Sequence, residues 1–567
     1  TGKRFGLATI NPMDDEGRFT DAAGPYARLF VKDADARIIE DLRASGKLWR
    51  SGEYEHTYPL CWRCSTPLLY WARNSWYIRT TARKRELLEA NENVGWYPDH
   101  IKHGRYGDWL SNNVDWSLSR ERYWGTPLPV WRCAAGHTTV VGSRAELSAL
   151  AGGDVGGGDP HRPDIDEVVL GGPECGEESR RVPEVIDAWF DSGAMPFAQW
   201  GYPQHGERRF RERFPADFIA EGIDQTRGWF YSLMAESVLL FGENAYRNVV
   251  CLGHIVDRDG RKMSKSLGNV LDPWAVLDAQ GADALRWYLL TSGSPWAARR
   301  VYPEAIEDVL RRFVLTVRNT HSFFVTYANI DRVDAASIEL PPQRRPPIDR
   351  WILSQLHDTV ATAREGLERY DATGAGRRID RFVDDLSNWY VRRSRRRFWD
   401  PARPDDGAGR DDKDAAYATL FECLTTLSRL LAPFTPFLAE DLYGGLVAEV
   451  ATDAMASVHL TDYPEPDPAA LDPALDEAMA TVRQIVSLGR SARKEAGVRV
   501  RQPLRRAVVH VPGAPERLRP LLPLVAEELN VREVAFAISE GDVAGWRAKP
   551  AFRVLGPRLG PRVKDVA

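Results

Sequence analysis

Short apolar runs alternate with helical patterns between residues 217 and 293, and this alternation most constrains the fold. The run RNVVCLGHIV (247–256) is apolar and bounded by turn residues, which predicts a buried strand. Helical patterns lie on both sides of it, within DFIAEGIDQTRGWFYSLMAESVLLFG (217–242) and GADALRWYLLTSG (281–293). Such alternation is typical of a parallel α/β sheet.

A polar, cationic loop follows the predicted strand. DRDG (257–260) predicts a turn. Gly268 lets backbone approach a ligand, lysine is a compact mobile charge, and serine adds a hydroxyl donor. The loop is therefore typical of a phosphate contact, with a solvated surface turn as the alternative. Its cationic and hydroxyl side chains are Lys262, Ser264, Lys265 and Ser266.

The second half of the chain has a different character. PPQRRPPIDR (341–350) is a Pro/Arg-rich break that predicts a domain boundary. DAAYATLFECLTTLSRLLAPFTPFLAEDLY (414–443) is a long helical pattern that we expect Pro433 and Pro436 to stop. RRAVVHV (505–511) and VREVAFAI (531–538) read as strands flanking a helix. Apolar residues recur at helical spacing after the break and predict a helical bundle: Ile352, Leu356, Val360, Ala363 and Leu367.

Bulk properties exclude several classes of protein. The 567 residues suffice for about three or four domains. No apolar run reaches about 18 residues, so no membrane span is expected. The net charge of -5 means that nucleic acid must bind through local basic patches. Six cysteines do not make a disulfide framework, which favours a reducing cytoplasm. The opening TGKRFGLATINP has no initiator methionine, so we expect a piece of a longer polypeptide.

The cysteines suggest two metal sites. Cys61 and Cys64 form a C-x-x-C pair, which supplies half of a tetrahedral zinc site. A redox pair is the alternative, but no suitable βαβ context surrounds it. Cys251 and Cys423 sit in apolar patterns, which is typical of core residues. A second candidate site combines Cys133, His137 and Cys175.

The segment YVRRSRRRFW (390–399) interleaves arginines with aromatic residues. Arginine binds phosphate, and aromatic rings stack on unpaired bases. The alternative is a helix with one charged face in solvent and one aromatic face in the core, and we favour it for the aromatics. SARKEAGVRVRQPLRR (491–506) is a second basic stretch with the same two readings.

Several motifs together resemble one protein family. KMSKS (262–266) matches the phosphate-binding signature of class I aminoacyl-tRNA synthetases. LSNWYVRRSRRRFW (386–399) is similar to the anticodon-binding bundle of that family, and the resemblance covers essentially the whole chain. The segments that resemble isoleucyl-tRNA synthetase are DWSLSRERYWGTPLPVW (115–131), VIDAWFDSGAMPFAQ (185–199) and DFIAEGIDQTRGWF (217–230).

The resemblance implies an α/β fold with a further helical domain. It predicts the second half of a Rossmann-like class I catalytic domain, then an all-α anticodon-binding bundle and the start of a small α/β C-terminal unit. The expected domains are the tail of an editing domain (1–60), the catalytic domain with zinc-binding insertions (61–303), a connecting segment (304–346), the anticodon-binding bundle (347–470) and a truncated junction domain (471–567).

The implied activity is ATP- and Mg²⁺-dependent activation of L-isoleucine and its transfer to tRNA(Ile). The full-length protein would also edit misactivated valine, and it would be a cytoplasmic monomer with no membrane partner. The alternatives are a valyl- or leucyl-type enzyme, or a non-catalytic tRNA-binding module descended from a synthetase.

The resemblance also assigns residues. The signature loop supplies Lys262, Ser264, Lys265 and Ser266, with Lys265 contacting ATP. The aminoacyl-adenylate would contact Glu221, Asp224, Gln225 and Trp229, since an ammonium group needs an acidic acceptor. An acidic helix N-terminus is the alternative reading of those carboxylates. The tRNA would contact Trp389, Arg392, Arg393 and Arg396. Structural zinc would bind Cys61 and Cys64, and also Cys133, His137 and Cys175.

Two departures from the family pattern limit these expectations. Relatives tend to carry four sulfur ligands at the second zinc site, where this chain has His137 near one such position and Pro173 at another. The H-x-G-H tetrapeptide of the N-terminal half-site is absent from the sequence. The editing core and the far C-terminal region are also missing, so we expect that the chain alone does not aminoacylate.

Overall fold

A computed structural model describes residues 2–8, 10–61, 64–172, 175–264, 267–400, 407–513 and 515–543, together with 553, 557–558 and 560–562. The chain forms two compact units. The first comprises Thr1–Val94, Ile101–Asp217 and Asp224–Arg247, and the second comprises Gly95–His100, Phe218–Ile223 and Asn248–Ala567.

The first unit is built from short helices and small antiparallel sheets. Its largest sheet has the strand order Thr138–Val140, Val130–Cys133, Glu178–Arg181 and Val169–Gly171. Two strand pairs join Tyr77–Ile78 to Trp116–Ser117 and Ser119–Arg120 to Val185–Ile186. The α-helices are Gly2–Phe5, Val31–Ala44, Lys84–Glu92, Arg105–Ser111, Arg144–Ala151, Ala188–Gly193, Met195–Ala198, Glu207–Arg213 and Trp229–Phe241, and His100–His103 begins in the second unit. The 3-10 turns are Asp21–Tyr26, Thr80–Arg83, Asp164–Glu167 and Ile223–Arg227, the last of which also begins in the second unit.

The second unit contains the parallel sheet that the sequence predicts. Its strand order is Ile219–Gly222, Asn248–Leu252 and Gly95–Tyr97, and both pairings are parallel. Ile255–Val256 pairs in parallel with Arg299–Arg300. Leu504–Val509 pairs in parallel with Val531–Phe536, and the helix Leu522–Leu529 lies between them in the chain, which confirms the predicted α/β unit.

Helices form the rest of the second unit. The α-helices are Pro273–Gln280, Ala282–Thr291, Pro303–Val309, Leu315–Asp331, Pro347–Glu368, Ala372–Asp384, Arg392–Trp399, Gly407–Leu431, Pro436–Tyr443, Pro473–Glu495 and Leu522–Leu529. Wider π turns occupy Leu310–Val314, Asp385–Val391 and Gly444–Ala448. The 3-10 turns are Ala335–Ser337, Pro342–Arg344, Val458–Leu460, Pro468–Ala470, Pro515–Leu521, Glu540–Asp542 and Gly560–Arg562.

The predicted apolar face of the helical bundle is confirmed. One continuous core runs through the second unit, and removal of its apolar surface from water is the main stabilising term for such a bundle. Trp287 and Phe313 belong to this core and stack with ring centroids 3.7 Å apart. Leu367 packs at the edge of this core, and the fully buried members of the predicted face are Ile352, Leu356, Val360 and Ala363.

The single strand predicted over residues 247–256 is wrong in one respect, because it divides at Gly253. The N–H of Gly253 donates to the carbonyl of Pro295 at 2.9 Å. A Cβ at Gly253 would overlap the carbonyl oxygen of Ala297, so only glycine fits there. The strand therefore leaves the sheet at this point, and the two side chains on either side, Leu252 and Ile255, are exposed.

The expected effect of the two prolines is half right. The helix Gly407–Leu431 ends just before Pro433, as predicted. Pro436 instead begins the helix Pro436–Tyr443, because a first-turn proline loses no intrahelical hydrogen bond.

Candidate active site and metal centre

The cationic loop begins as a tight hairpin, as its DRDG sequence predicts. The N–H of Asp257 donates to the carbonyl of Arg261 at 2.9 Å, and Gly260 has a φ of 84°. Val256 and Lys262 then form an antiparallel bridge. The loop thus starts at a fixed point beside the short strand Ile255–Val256.

The signature residues lie just beyond this hairpin. Lys262 is exposed, Ser264 is half-buried, and Met263 packs against the helical core of the second unit. Lys265 and Ser266 lie outside the described residues. The structure therefore describes the start of the predicted phosphate-contacting segment.

A polar network anchors both ends of the loop. Asn269 accepts the N–H of Ser264 at 2.9 Å through Oδ1, and its Nδ2 donates to the Asp257 carboxylate at 2.9 Å and to the Lys262 carbonyl at 3.3 Å. Hydrogen bonds from Asn269, and then from Arg261, lower the pKa of Asp257 to about 2. The carboxylate is therefore ionised at neutral pH.

Glu221 lies on the neighbouring parallel strand. It is exposed on Ile219–Gly222 and pairs in register with Cys251 of the strand Asn248–Leu252. Because parallel strands end at the same edge of a sheet, Glu221 and the segment that leads to the loop approach one edge. In open α/β sheets this carboxyl edge is the usual ligand-binding position.

Three other predicted residues form a cluster in the first unit. Gln225 donates from Nε2 to the Asp224 carboxylate at 2.9 Å, and its Oε1 accepts the N–H of Trp229 at 2.9 Å. The Trp229 indole donates from Nε1 to the carbonyl of Ser192 at 3.1 Å. The structure therefore brings Asp224, Gln225 and Trp229 together, with the carboxylate exposed and the indole half-buried.

Trp189 joins this cluster, and the sequence analysis did not single it out. A Cβ built on Gly228 would lie 3.3 Å from Trp189 Cη2 and 2.6 Å from Gln225 Oε1, so glycine lets the indole edge approach the amide. Trp189 is 44% exposed. The exposed carboxylate can accept an ammonium group, and the two indoles can pack an apolar side chain. The sequence feature that could have identified Trp189 is its place within the family-like segment VIDAWFDSGAMPFAQ.

The second candidate metal centre is brought together at one end of the four-stranded sheet. Cys133 ends a strand, and a turn through Gly136 (φ 90°) returns His137 so that its carbonyl accepts the Cys133 N–H at 3.1 Å. Cys175 lies in the turn between the paired strands Val169–Gly171 and Glu178–Arg181. Ligand atoms of the three residues lie within 4.8 Å of one another.

The distances in this centre fit zinc. Cys133 Sγ lies 3.7 Å from Cys175 Sγ and 3.6 Å from His137 Nδ1. Tetrahedral zinc with ordinary bond lengths places two sulfur ligands about 3.8 Å apart and a sulfur and a nitrogen ligand about 3.6 Å apart. Two thiols and an imidazole are also the donor types that zinc prefers. Pro173 lies outside the described residues.

Cys61 and Cys64 form a separate turn. The N–H of Ser65 donates to the Cys61 carbonyl at 2.8 Å, and Cys64 Sγ lies 2.5 Å from Thr66 Oγ1. Hydrogen bonding to Thr66, and then to Cys61, lowers the pKa of the Cys64 thiol. A thiol with a lowered pKa is a better metal ligand, because the thiolate is the binding form.

The arginines of the helix Arg392–Trp399 differ in their partners and in their exposure. Arg392 and Arg393 both pair with Glu528, at 2.8 and 2.7 Å, and Arg393 also pairs with Glu527. The Arg393 side chain is only 7% exposed. Arg396 is exposed and has no ion-pair partner in the part of the chain that the structure describes.

The aromatic residues of this helix are only partly in the core. Tyr390 and Phe398 are buried, as we favoured. Trp399 is 52% exposed, so the core reading is wrong for it. Trp389 is half-buried, with the guanidinium groups of Arg392 and Arg483 at 5.9 and 5.4 Å from its ring.

Two models of known protein families match the chain. The family model described as tRNA synthetases class I (I, L, M and V) matches residues 19–299, and the anticodon-binding domain of tRNA ligase matches residues 349–508. The chain belongs to the class I aminoacyl-tRNA synthetases. The signature loop lies in the first matched range and the arginine-rich helix in the second.

Individual relatives are similar over the whole chain. The chain is 51% identical to an isoleucine–tRNA ligase of Streptomyces coelicolor and 48% identical to one of Thermus thermophilus, in each case over 100% of its own length. It covers 53% and 54% of those two proteins, so it spans about half the length of the curated relatives it matches.

Solved structures show the same fold at low identity. A methionyl-tRNA synthetase of Mycobacterium tuberculosis, bound by methionyl-adenylate, matches with a TM-score of 0.51 and 18% identity. The match covers 72% of this chain and 71% of that one. Among the described residues of this synthetase, no helix is both long and apolar enough to cross a membrane.

A buried acid lies close to the Trp229 cluster. Glu236 is 2% exposed on the helix Trp229–Phe241, and neither carboxyl oxygen has a hydrogen-bond partner among the described residues. Burial, and then the charge of Asp191, raise the pKa of Glu236 to about 9. A Cβ at Gly193 would overlap Glu236 Oε1, so the acid fills the space that this glycine leaves.

Removing this acid should stabilise the protein in a pH-dependent way. An unfolded glutamate ionises near pH 4.3, about five units below the folded value, so its contribution to stability is present below about pH 4 and is lost as pH rises towards about 9. Glu236→Met should therefore resist urea better than the wild type at pH 8. Its free energy of unfolding should be higher by a few kcal/mol at pH 8, with a smaller difference at pH 5. Glu212→Met, at an exposed glutamate, is the control. A stability difference between Glu236→Met and the wild type that does not change with pH would contradict the raised pKa of Glu236.

Proposed function

We propose that the chain is part of an isoleucine–tRNA ligase, which joins L-isoleucine to tRNA(Ile) through an isoleucyl-adenylate. The observation that carries this proposal is the identity of about half of all residues with isoleucine–tRNA ligases over the whole chain. It favours isoleucine over the valyl- and leucyl-type alternatives, because the family model alone covers all of these enzymes.

The nucleotide part of the reaction belongs to the signature loop. The isoleucine carboxylate attacks the α-phosphate of ATP, which arrives with Mg²⁺, and pyrophosphate leaves. Negative charge spreads over the phosphate oxygens in the transition state, so positioned cations lower the barrier. Lys262 and Lys265 supply these cations, Ser264 and Ser266 supply hydroxyl donors, and Lys265 contacts ATP. A mobile loop can close on the triphosphate and release pyrophosphate afterwards.

The amino-acid part belongs to the other predicted residues. Asp224 accepts the ammonium group, and Gln225 holds that carboxylate through its 2.9 Å hydrogen bond. Trp229 and Trp189 pack the aliphatic side chain. Glu221, exposed on its strand, contacts the adenylate. An apolar pocket rejects a side chain one methylene shorter by only about 10–200-fold, which accounts for editing of valine in the full-length protein.

The helical bundle binds tRNA through its basic helix. Arg396 is exposed, and Arg392 and Trp389 lie beside it at the surface of the same segment. These residues contact phosphates and an unpaired base. Arg393 has its guanidinium on Glu527 and Glu528, so it contributes by holding the helix against Leu522–Leu529.

Structural zinc completes the proposed enzyme. Cys133, His137 and Cys175 hold one ion, and Cys61 and Cys64 contribute to another. We further infer a cytoplasmic monomer with the domain boundaries expected from the sequence, since six free cysteines suit a reducing compartment.

Pyrophosphate exchange tests the activity. The chain mixed with its native upstream segment (the assembled enzyme) should exchange pyrophosphate into ATP with isoleucine, and more weakly with valine, leucine or methionine. Lys265→Ala should lower the exchange rate about 100-fold or more, because it removes a cation that acts on transition-state charge. Lys47→Ala, at an exposed lysine, is the control. Exchange that depends on another amino acid, or equal losses in rate and isoleucine affinity in Lys265→Ala, would refute the proposal.

Metal content tests the zinc centre. Cys175→Ser should lower bound zinc by about one equivalent after dialysis, because it removes one thiolate ligand. The control is Cys423→Ala, which alters a buried cysteine in the bundle core and should lose stability but no zinc. Equal zinc content in Cys175→Ser and the wild type, measured by plasma mass spectrometry, would rule the centre out.

A further inference from the structure

Asp257 and Asn269 lie on either side of the signature loop, and their side chains meet at 2.9 Å. Asp257 is buried and Asn269 is half-buried. The loop residues assigned to the ATP phosphates lie between them in the sequence: Lys262, Ser264, Lys265 and Ser266. The pair therefore closes the base of the loop, and a change in its geometry is transmitted to Lys262 through the hydrogen bond from Asn269 to the Lys262 carbonyl.

We propose that Asp257 and Asn269 are positioning residues for adenylate formation, which fix the base of the signature loop. This inference rests on the proposed function of the loop. The two residues act through the loop backbone and through Ser264, and they do not themselves contact ATP.

The hydrogen-bonding chemistry requires an amide at residue 269. Its oxygen accepts the Ser264 N–H, and its nitrogen donates both to the Asp257 carboxylate and to the Lys262 carbonyl. Only an amide side chain offers an acceptor and two donors in one planar group of this length. The carboxylate of an aspartate here would keep the first contact and lose the other two.

The Asp257 carboxylate takes its hydrogen bonds from groups other than the Lys262 ammonium. The Asp257 carboxylate accepts the N–H groups of Asp259 and Arg261 at 3.0 and 2.8 Å, the Arg261 Nε at 3.0 Å, and the amide of Asn269. These four donors occupy the acceptor sites of a carboxylate. Lys262 accordingly makes no ion pair within the described part of the chain, which leaves its charge for a phosphate.

A residue swap separates positioning from simple structural support. Asn269→Asp should raise the KM for ATP and lower kcat/KM in pyrophosphate exchange by about 10–100-fold, since it loses a hydrogen bond to a charged group and sets two carboxylates together. The KM for isoleucine should stay within about twofold. The double variant Asp257→Asn with Asn269→Asp restores the hydrogen bond between residues 257 and 269 but not the one to the Lys262 carbonyl, so it should recover part of the loss.

The assay uses the assembled enzyme, and hydrogen exchange on the chain alone gives a second readout. Amides of 257–270 should exchange faster in Asn269→Asp and return towards wild type in the double variant. Asn388→Asp is the matched control, because Asn388 also donates its amide to an aspartate, Asp384, at 2.6 Å.

The possible outcomes are distinct. A faster-exchanging loop with an unchanged KM for ATP would overturn the positioning role, and so would failure of the double variant to recover. Absence of exchange activity in the wild-type assembled enzyme would instead refute the proposed function itself, and this proposal would fall with it.

Discussion

The parallel pairing of Ile219–Gly222 with Asn248–Leu252 is the constraint on which the proposed nucleotide site of the second unit depends. Backbone hydrogen bonds fix the register of Glu221 opposite Cys251, and the shared direction of the strands brings their carboxyl ends to one edge. The third strand, Gly95–Tyr97, begins at a glycine, and a Cβ there would displace the Asn248 side-chain amide. Gly253 then ends the central strand and directs the chain towards the loop.

In the proposed reaction, the base of the loop has to hold its position while the Lys262 charge stays available to a phosphate. Met263 is held against the helical core, and Asn269 ties Ser264 and Lys262 to the ionised Asp257. Both conditions are met, because Asn269 holds the Lys262 carbonyl and the Lys262 ammonium has no ion-pair partner within the described residues.

The sequence predicted features that depend on local periodicity or on close spacing. The parallel strands, the buried bundle face of Ile352 and Leu356, and the grouping of Cys133 with His137 all follow from patterns a few residues long. The break at Gly253 was missed because it depends on the backbone of Ala297, which is distant in sequence. The exposure of Trp399 depends on which helices pack against it, and an isolated helical pattern does not show this.

The sequence singled out more residues of the proposed site than residues that support it. The signature segment and the Asp224 cluster were found through family resemblance, whereas Trp189, Asp257 and Asn269 were not singled out. Asp257 and Asn269 act through hydrogen bonds that span twelve positions of the chain, and no periodic pattern marks such a pair. The DRDG turn and the following asparagine were visible as turn residues, but their mutual contact required the folded structure.

The most direct test of the account is hydrogen exchange of the assembled enzyme with and without a non-hydrolysable isoleucyl-adenylate analogue. The proposed function assigns the strand Ile219–Gly222, which carries Glu221, and the loop 257–270, both in the second unit, to the same ligand. It therefore predicts that amides in both segments become protected at the same analogue concentration. Protection of only one segment, or protection confined to other parts of the chain, would contradict the account.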